Sequence, residues 1–301
     1  MSGKEGGGVP EWAAPIMGDK EFQMFMSAVE GYFKKRGEPY DIGDKTVKLR
    51  GKWDFGLVNI AQVCAQGKPA DYPAIVDGHF QSAIGSMEFN EEFERTSDDF
   101  DSVRQYIATR LHDIGYLNTV PDAFTHRPFA GELCAALSYD LPHVVQNIPR
   151  RNIDKWGKAE DELFSIGIEN VRRNYPLETE RVELGGDEIL VVDESHLFAS
   201  NLLFELGERK DLVGKGGAIV ASPNRHIAMV YPIESMKVIN VLSAFFRIVP
   251  GLFSKGPGSL TSEIYWYQGG RFERLDYEPG PDIKFRPSEG FMELINGGLE
   301  Q

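Results

Sequence analysis

The chain has 301 residues, 42% of them hydrophobic, and carries 46 acidic against 32 basic side chains for a formal charge of −14. That length exceeds what one core usually serves, so two compact units, or one with a large insertion, are expected. The mean field repels phosphate backbones, which excludes nucleic acid as a first partner. The longest apolar stretches, residues 189–192 and 241–250, fall short of the roughly 18 residues a membrane span needs.

The N-terminal residues mix a lysine, an acid and a glycine run where a secretory signal needs an unbroken apolar segment. The cysteines, Cys64 and Cys134, each sit in an apolar segment and read as buried free thiols of a reducing compartment. A cytoplasmic location is the expectation.

Residues 1–18 are rich in glycine and proline and read as a flexible leader. Phe22, Phe25, Met26, Val29 and Phe33 then recur at helical steps, predicting a helix over 19–35 that Asp19 can cap and Gly37 stops. Tyr40, Ile42, Val47 and Leu49 flank a Gly43-Asp44 turn and predict a hairpin. Helical spacing returns around Leu57 to Cys64 and Ile75 to Ile84, so residues 19–86 form a helix, hairpin, helix, helix unit. Seven acids between Glu88 and Asp101, with Arg95 among them, read as a solvated loop or as a docking surface for a basic partner.

Beyond the acids, a strand is expected from Tyr106, a buried strand over 133–139, and a helix over 161–174 ended by Pro176. Strands over 182–184 and 189–192 follow, separated by Gly185-Gly186, then a helix over about 195–206. A second strand pair, 218–221 and 227–231, leads into a helix over 234–248 that is apolar on more than one face and so central. A last strand, 264–267, precedes a proline- and glycine-rich tail. The fold class expected is α/β in the α+β sense, a mixed sheet with packed helices. Its parts are a leader 1–18, an N-terminal α+β unit 19–98, an α/β unit 99–277 and a tail 278–301.

Asp193 with Phe198, Ala199, Ser200, Leu202 and Leu203 forms a strand-then-helix segment, and residues 218–232 a hairpin with Pro223 before its second strand. With the 264–275 ending and the 163–176 helix, which carries Glu169, Asn170 and Pro176, this order resembles the YtpQ family of bacterial proteins, a family of unknown function. The resemblance covers about residues 100–275. It implies a shared fold and carries no catalytic residues with it.

The run ILVVDESH at 189–196 looks like the strand and acidic box of nucleotide hydrolases, but the chain has no GxxxxGK-Ser/Thr loop to hold phosphate. Asp193 or Ser195 opening the next helix is the plainer account. A triad drawn from Ser195 or Ser222, His226 and Asp193 lacks a GxSxG elbow. No two of the six histidines stand four residues apart and no Cys-x-x-Cys occurs, so neither metal nor cofactor is implied.

Tyr265, Trp266 and Tyr267 with Arg271 have the composition of a binding hot spot, as aromatics beside arginine do. The acids Glu91, Glu92, Asp98 and Asp99 are the other candidate contact set. The reading is an intracellular, non-enzymatic protein-binding protein of adaptor, chaperone or toxin-immunity kind, whose acidity suits a basic partner. The rivals are a hydrolase or nucleotide-dependent enzyme around Asp193, Ser195 and His226, and a structural subunit docking through residues 241–253.

Overall fold

Phe25, Val29 and Phe33 form the buried stripe of helix α1 (Asp19–Arg36) in the computed structural model of the chain, which describes residues 9–115, 124–142, 144–255, 258–278 and 283–298. Asp19 does not cap this helix: its carboxylate accepts the Val9 amide at 3.3 Å, while Glu21 reaches back to the Gly18 amide at 3.1 Å. Gly37, at a left-handed φ of 76°, ends the helix by returning its N–H to the Phe33 carbonyl.

The chain divides into two units, Met1–Phe93 and Glu94–Gln301. In the first, β1 (Tyr40–Ile42), β2 (Thr46–Leu49) and β3 (Trp53–Gly56) pair antiparallel, so the expected hairpin gains a third strand. Helices α2 (Val58–Gln66) and α3 (Tyr72–Thr96) close the unit. Phe33 lies 4.9 Å from Phe80 and 5.5 Å from Tyr40, and Phe55 meets Phe80 edge-on at 5.8 Å.

Two expectations for this region fail. The described part of the leader, residues 9–18, is packed: Ala13 and Met17 are buried, and the Trp12 indole donates to the Asp44 carbonyl at 3.1 Å. Burial of Trp12 against Phe22 at 5.8 Å outweighs the glycine- and proline-rich composition. The acidic stretch is not a loop up to Thr96 but the last turns of α3, because glutamate is a good helix former and local cations neutralise it. Glu88 accepts from Arg36 and Arg50 at 2.9 Å each, and Glu91 holds Lys52 and the Trp53 indole.

The second unit opens with α4 (Phe100–Val103). Strands β4 (Ile107–Asp113), β5 (His126–Ala130), β6 (Leu133–Leu141) and β7 (Val144–Asn147) make a sheet with β6 in the middle. Helices α5 (Arg150–Trp156) and α6 (Glu160–Asn174) follow. Helix α6 presses so closely on β4 that a Cβ at Gly167 would stand 2.4 Å from Thr109 Oγ1 and 2.6 Å from the Thr109 nitrogen. Asn170 donates to the Arg104 and Ile107 carbonyls at 2.8 Å each, and Thr109 Oγ1 donates to the Phe164 carbonyl at 2.9 Å.

A second sheet combines β8 (Glu180–Leu184), β9 (Asp187–Asp193), β10 (Ala218–Asn224), β11 (Ile227–Pro232), β12 (Ile264–Gln268) and β13 (Arg271–Arg274), in the order β13-β12-β10-β11-β9-β8. The α+β class holds, and every pairing in this sheet is antiparallel rather than mixed, since tight hairpins join β8 to β9, β10 to β11 and β12 to β13. Helix α8 (Val238–Lys255) covers one face, packing Val241, Phe245 and Val249 on Ile219, Met229 and Ile264.

The helix expected over 195–206 shrinks to a 3-10 turn, Ala199–Asn201, and α7 (Leu202–Glu205), so neither Asp193 nor Ser195 opens it. The tail from 278 is also structural where described. Strands β14 (Asp276–Glu278) and β15 (Lys284–Arg286) pair, and α9 (Glu289–Glu293), capped by Ser288, buries Phe291 against Trp266 at 5.2 Å.

Phe245 is fully buried, so Phe245→Ala should destabilise the protein by about 3–5 kcal/mol in urea unfolding, through lost burial and the cavity left behind. A loss below about 1 kcal/mol would contradict the packing of α8.

Burial, and then the charge of Arg110, pulls the His112 imidazole down to about 3. The folded protein therefore keeps His112 neutral at pH values where the unfolded chain protonates it. This contribution leaves stability intact above about pH 6.5 and erodes it as the pH falls towards 3, by up to about 1.4 kcal/mol per pH unit. Unfolding free energies measured from pH 7 to 4 should fall less steeply for His112→Asn than for the wild type.

Candidate binding cleft

The end of β9 and the β10–β11 turn are built by local polar bonds. Asp193 stands opposite Ile227 across the strand pair, and the Glu194 amide donates to the His226 carbonyl at 3.0 Å. The register of β10 slips between Ala221 and Asn224. There Ser222 Oγ donates to the Ile227 carbonyl at 3.0 Å, and Asn224 Oδ1 accepts the His226 amide at 2.9 Å. The Arg225 and Leu260 amides bond the Gly258 and Pro223 carbonyls, fastening the turn to the segment after α8. The C-terminal half of α8 then places Arg247, Ile248 and Leu252 opposite these residues.

Between them lies an open cleft of about 870 Å³. Ile227, Ile248 and Leu252 give it apolar walls, and Asp193, Glu194, Ser195 and Arg247 give it a polar rim. Asp193 and Arg247 are exposed, and neither has an ion pair among the described residues. Glu194 lies 3.9 Å from His196 Nε2. Burial lowers the His196 pKa despite that carboxylate, and the ring packs on Tyr175 at 4.8 Å.

Asp193, Ser195 and His226 thus meet at one cleft, yet not as a triad. His226 Nδ1 is 3.0 Å from the Glu194 carbonyl, which only accepts, so Nδ1 carries the proton. Arg225 Nε donates to Nε2 at 3.4 Å. The imidazole is spent on a main-chain oxygen and a guanidinium, and Asp193 does not orient it, whereas a serine nucleophile needs a base with a free lone pair and a carboxylate behind it.

The aromatic hot spot is overturned. Tyr265, Trp266 and Tyr267 are all buried because β12 is an inner strand with both faces covered. Trp266 donates its indole N–H to the Gly216 carbonyl at 2.8 Å, and Tyr265 bonds the Ala130 carbonyl at 3.1 Å from the opposite face. Arg271 is exposed at the start of β13. Among the acids, Glu91 is bound to Lys52 and the Trp53 indole, Asp98 to Lys155 at 2.5 Å, and Asp99 accepts from Ser102. Glu92 is exposed on α3. These acids mostly hold their own units together.

Both cysteines are buried, which pushes the Cys64 thiol up to about 11 and the Cys134 thiol to about 12, far from the thiolate a nucleophile requires. Among the described residues no three His, Cys, Asp or Glu side chains come together as metal ligands; His143 lies outside them.

Arg247, Ile248 and Leu252 were not singled out from sequence as cleft residues; they fall within residues 241–253, expected there as the docking face of a structural subunit. Their signal was present in the surplus apolar face of the α8 segment, which one sheet cannot cover.

The hydrogen bonds of His226 force the Nδ1–H tautomer. Long-range 15N–1H correlation spectra at pH 8 should show that pattern for His226, and an Nε2–H pattern would contradict both the Nδ1–H bond to the Glu194 carbonyl and the Arg225 contact at Nε2. The chain matches no protein-family model, no curated protein and no solved structure.

Proposed function

We propose that the protein is a non-enzymatic binding protein of adaptor, chaperone or immunity type, which holds an extended segment of a partner protein in the cleft beside α8. The observation that carries this reading is the lining of the cleft: an apolar wall of Ile227, Ile248 and Leu252 beneath a rim where Asp193 and Arg247 have no ion-pair partner among the described residues. A segment with an aliphatic side chain next to a basic one buries the first on the wall and gives Asp193 a counter-charge. A mixed apolar and polar concavity is the usual form of such sites. The basic character follows from Asp193 and Glu194 together with the chain's charge of −14, which steers cations and disfavours nucleic acid.

The buried thiols suit a cytoplasmic protein, and no helix among the described residues is long and apolar enough to cross a membrane. The resemblance of residues 100–275 to the YtpQ family belongs to the same proposal, as a shared fold.

A hydrolase at Asp193, Ser195 and His226 is the second reading, favoured by the convergence of the three on one cleft. The state of the His226 ring weighs against it.

The two are separated on the full chain with an array of immobilised peptides that place Lys or Arg beside Leu, Ile or Val. A Cβ at Gly251, on the rim, meets nothing within 4 Å, so Gly251→Trp should fill the cleft, abolish peptide binding and leave Tm unchanged. Asp193→Ala with His226→Ala should weaken binding by no more than about tenfold, roughly 1.4 kcal/mol, because Asp193 is exposed and a surface ion pair adds only about 0–1 kcal/mol to the burial on the apolar wall. Binding that survives Gly251→Trp places the site elsewhere. A hydrolytic turnover that a folded Asp193→Ala, His226→Ala variant loses overturns the binding reading.

A further inference from the structure

Strand β8 is the outer strand of the six-stranded sheet, and its residues Glu180, Arg181, Val182 and Glu183 are all exposed. We infer that this edge is a homodimer contact, in which β8 pairs antiparallel with β8 of a second copy about a twofold axis at Val182, making one sheet continuous across two chains.

Backbone parity comes first. The β8–β9 hairpin turns through Gly185 and Gly186, both at positive φ (68° and 85°), with Leu184 opposite Asp187. Such a two-residue turn closes on a hydrogen bond between its flanking residues. Leu184/Asp187 and Val182/Ile189 are therefore hydrogen-bonded pairs, and Arg181 and Glu183 turn their N–H and C=O groups away from β9. A second strand can bond only to those outward groups.

Charge then selects the register. Twofold registers that match outward groups to outward groups centre on Arg181, on Val182 or on Glu183. The first sets Arg181 against Arg181, the third sets Glu183 against Glu183, and like charges directly opposite destabilise a pair. The register centred on Val182 sets each Arg181 against the partner's Glu183, with N–H···O bonds exchanged both ways. It also brings together the two Val182 side chains, 43% exposed in the single chain.

The single chain leaves a charge for the partner to satisfy. Glu183 stands directly opposite Glu188 across β8 and β9, and Arg181 reaches Glu188 at 2.8 Å, leaving Glu183 without a cation among the described residues. Arg181 and Glu188 are 72% and 59% exposed, a surface pair loose enough to be shared. The partner's arginine supplies Glu183 with its missing counter-charge. Charged residues on an edge commonly prevent association, but here their order makes the edge self-complementary. The contact uses β8 alone and is independent of the cleft.

The test is sedimentation equilibrium of the full chain up to several hundred micromolar. A contact this small belongs to the weak class of interface, so a dissociation constant on the order of 10–100 μM is expected. Arg181→Glu and Glu183→Arg should each weaken self-association at least tenfold. An equimolar mixture of these two variants should dimerise like the wild type, because every opposed pair is then complementary, and the double variant carrying both changes should do the same. Circular dichroism of each variant checks that it is folded. A wild type that stays monomeric throughout overturns the inference. So does a dimer that the single reversals leave intact, or one that mixing fails to restore.

Discussion

Helix α8 carries more apolar surface than the sheet beneath it can cover, and the second unit is arranged around that excess. Val241, Phe245 and Val249 fill the contact with β10, β11 and β12. The helix cannot shift towards β8, because the Gly185 turn already stands against it: a Cβ there would come within 2.8 Å of the Asn240 carbonyl oxygen. With α8 pinned, Ile239 and Ile248 project from opposite sides of the contact, 45% and 38% exposed. The first faces a hollow of about 290 Å³ closed by α9 and β15; the second becomes a wall of the larger cleft. A hydrophobic side chain left at a rim beside polar groups is the common raw material of a binding surface.

The opposite face of the sheet is held by direct polar ties. Asn201 donates to the Thr109 carbonyl at 2.7 Å in a buried setting, Thr109 in turn bonds the Phe164 carbonyl, and Asn170 satisfies two carbonyls at the start of β4. Each bond answers a main-chain group that would otherwise be buried unpaired. This set of ties explains why the segment after β9 does not become the long helix its spacing suggests. Phe198, Ala199 and Leu202 are buried, and holding Asn201 at Thr109 requires the tight 3-10 turn. The tertiary bond overrides the local period.

The same principle governs His226. Its neighbours in sequence, Asn224 and Arg225, and its neighbour across the strands, Glu194, take every polar atom it offers towards the backbone. The histidine works as a brace for the hairpin at the mouth of the cleft. Nδ1 gives its proton to the Glu194 carbonyl and Nε2 gives its lone pair to Arg225, the lone pair a base would need.

Much of the element order was legible in the chain itself. The helical spacing of Phe25, Val29 and Phe33, the glycine pair between β8 and β9, and the doubly apolar α8 segment each report a local period or a backbone requirement, and such signals survive in a single sequence. The packed residues 9–18, strand β3, the acidic turns of α3 and the tail around Phe291 were not legible. Their order comes from distant partners: Asp44 for Trp12, Arg36 and Arg50 for Glu88, Trp266 for Phe291. The buried fate of Tyr265, Trp266 and Tyr267 was likewise hidden, since a strand looks the same whether it lies at an edge or inside a sheet. Sequence alone determined the α+β class and the strand-end grouping of Asp193, Ser195 and His226. Tertiary structure alone decided that α8 would face that grouping with Arg247, Ile248 and Leu252, and that His226 would be spent before any substrate arrived, because both depend on contacts between segments far apart in the chain.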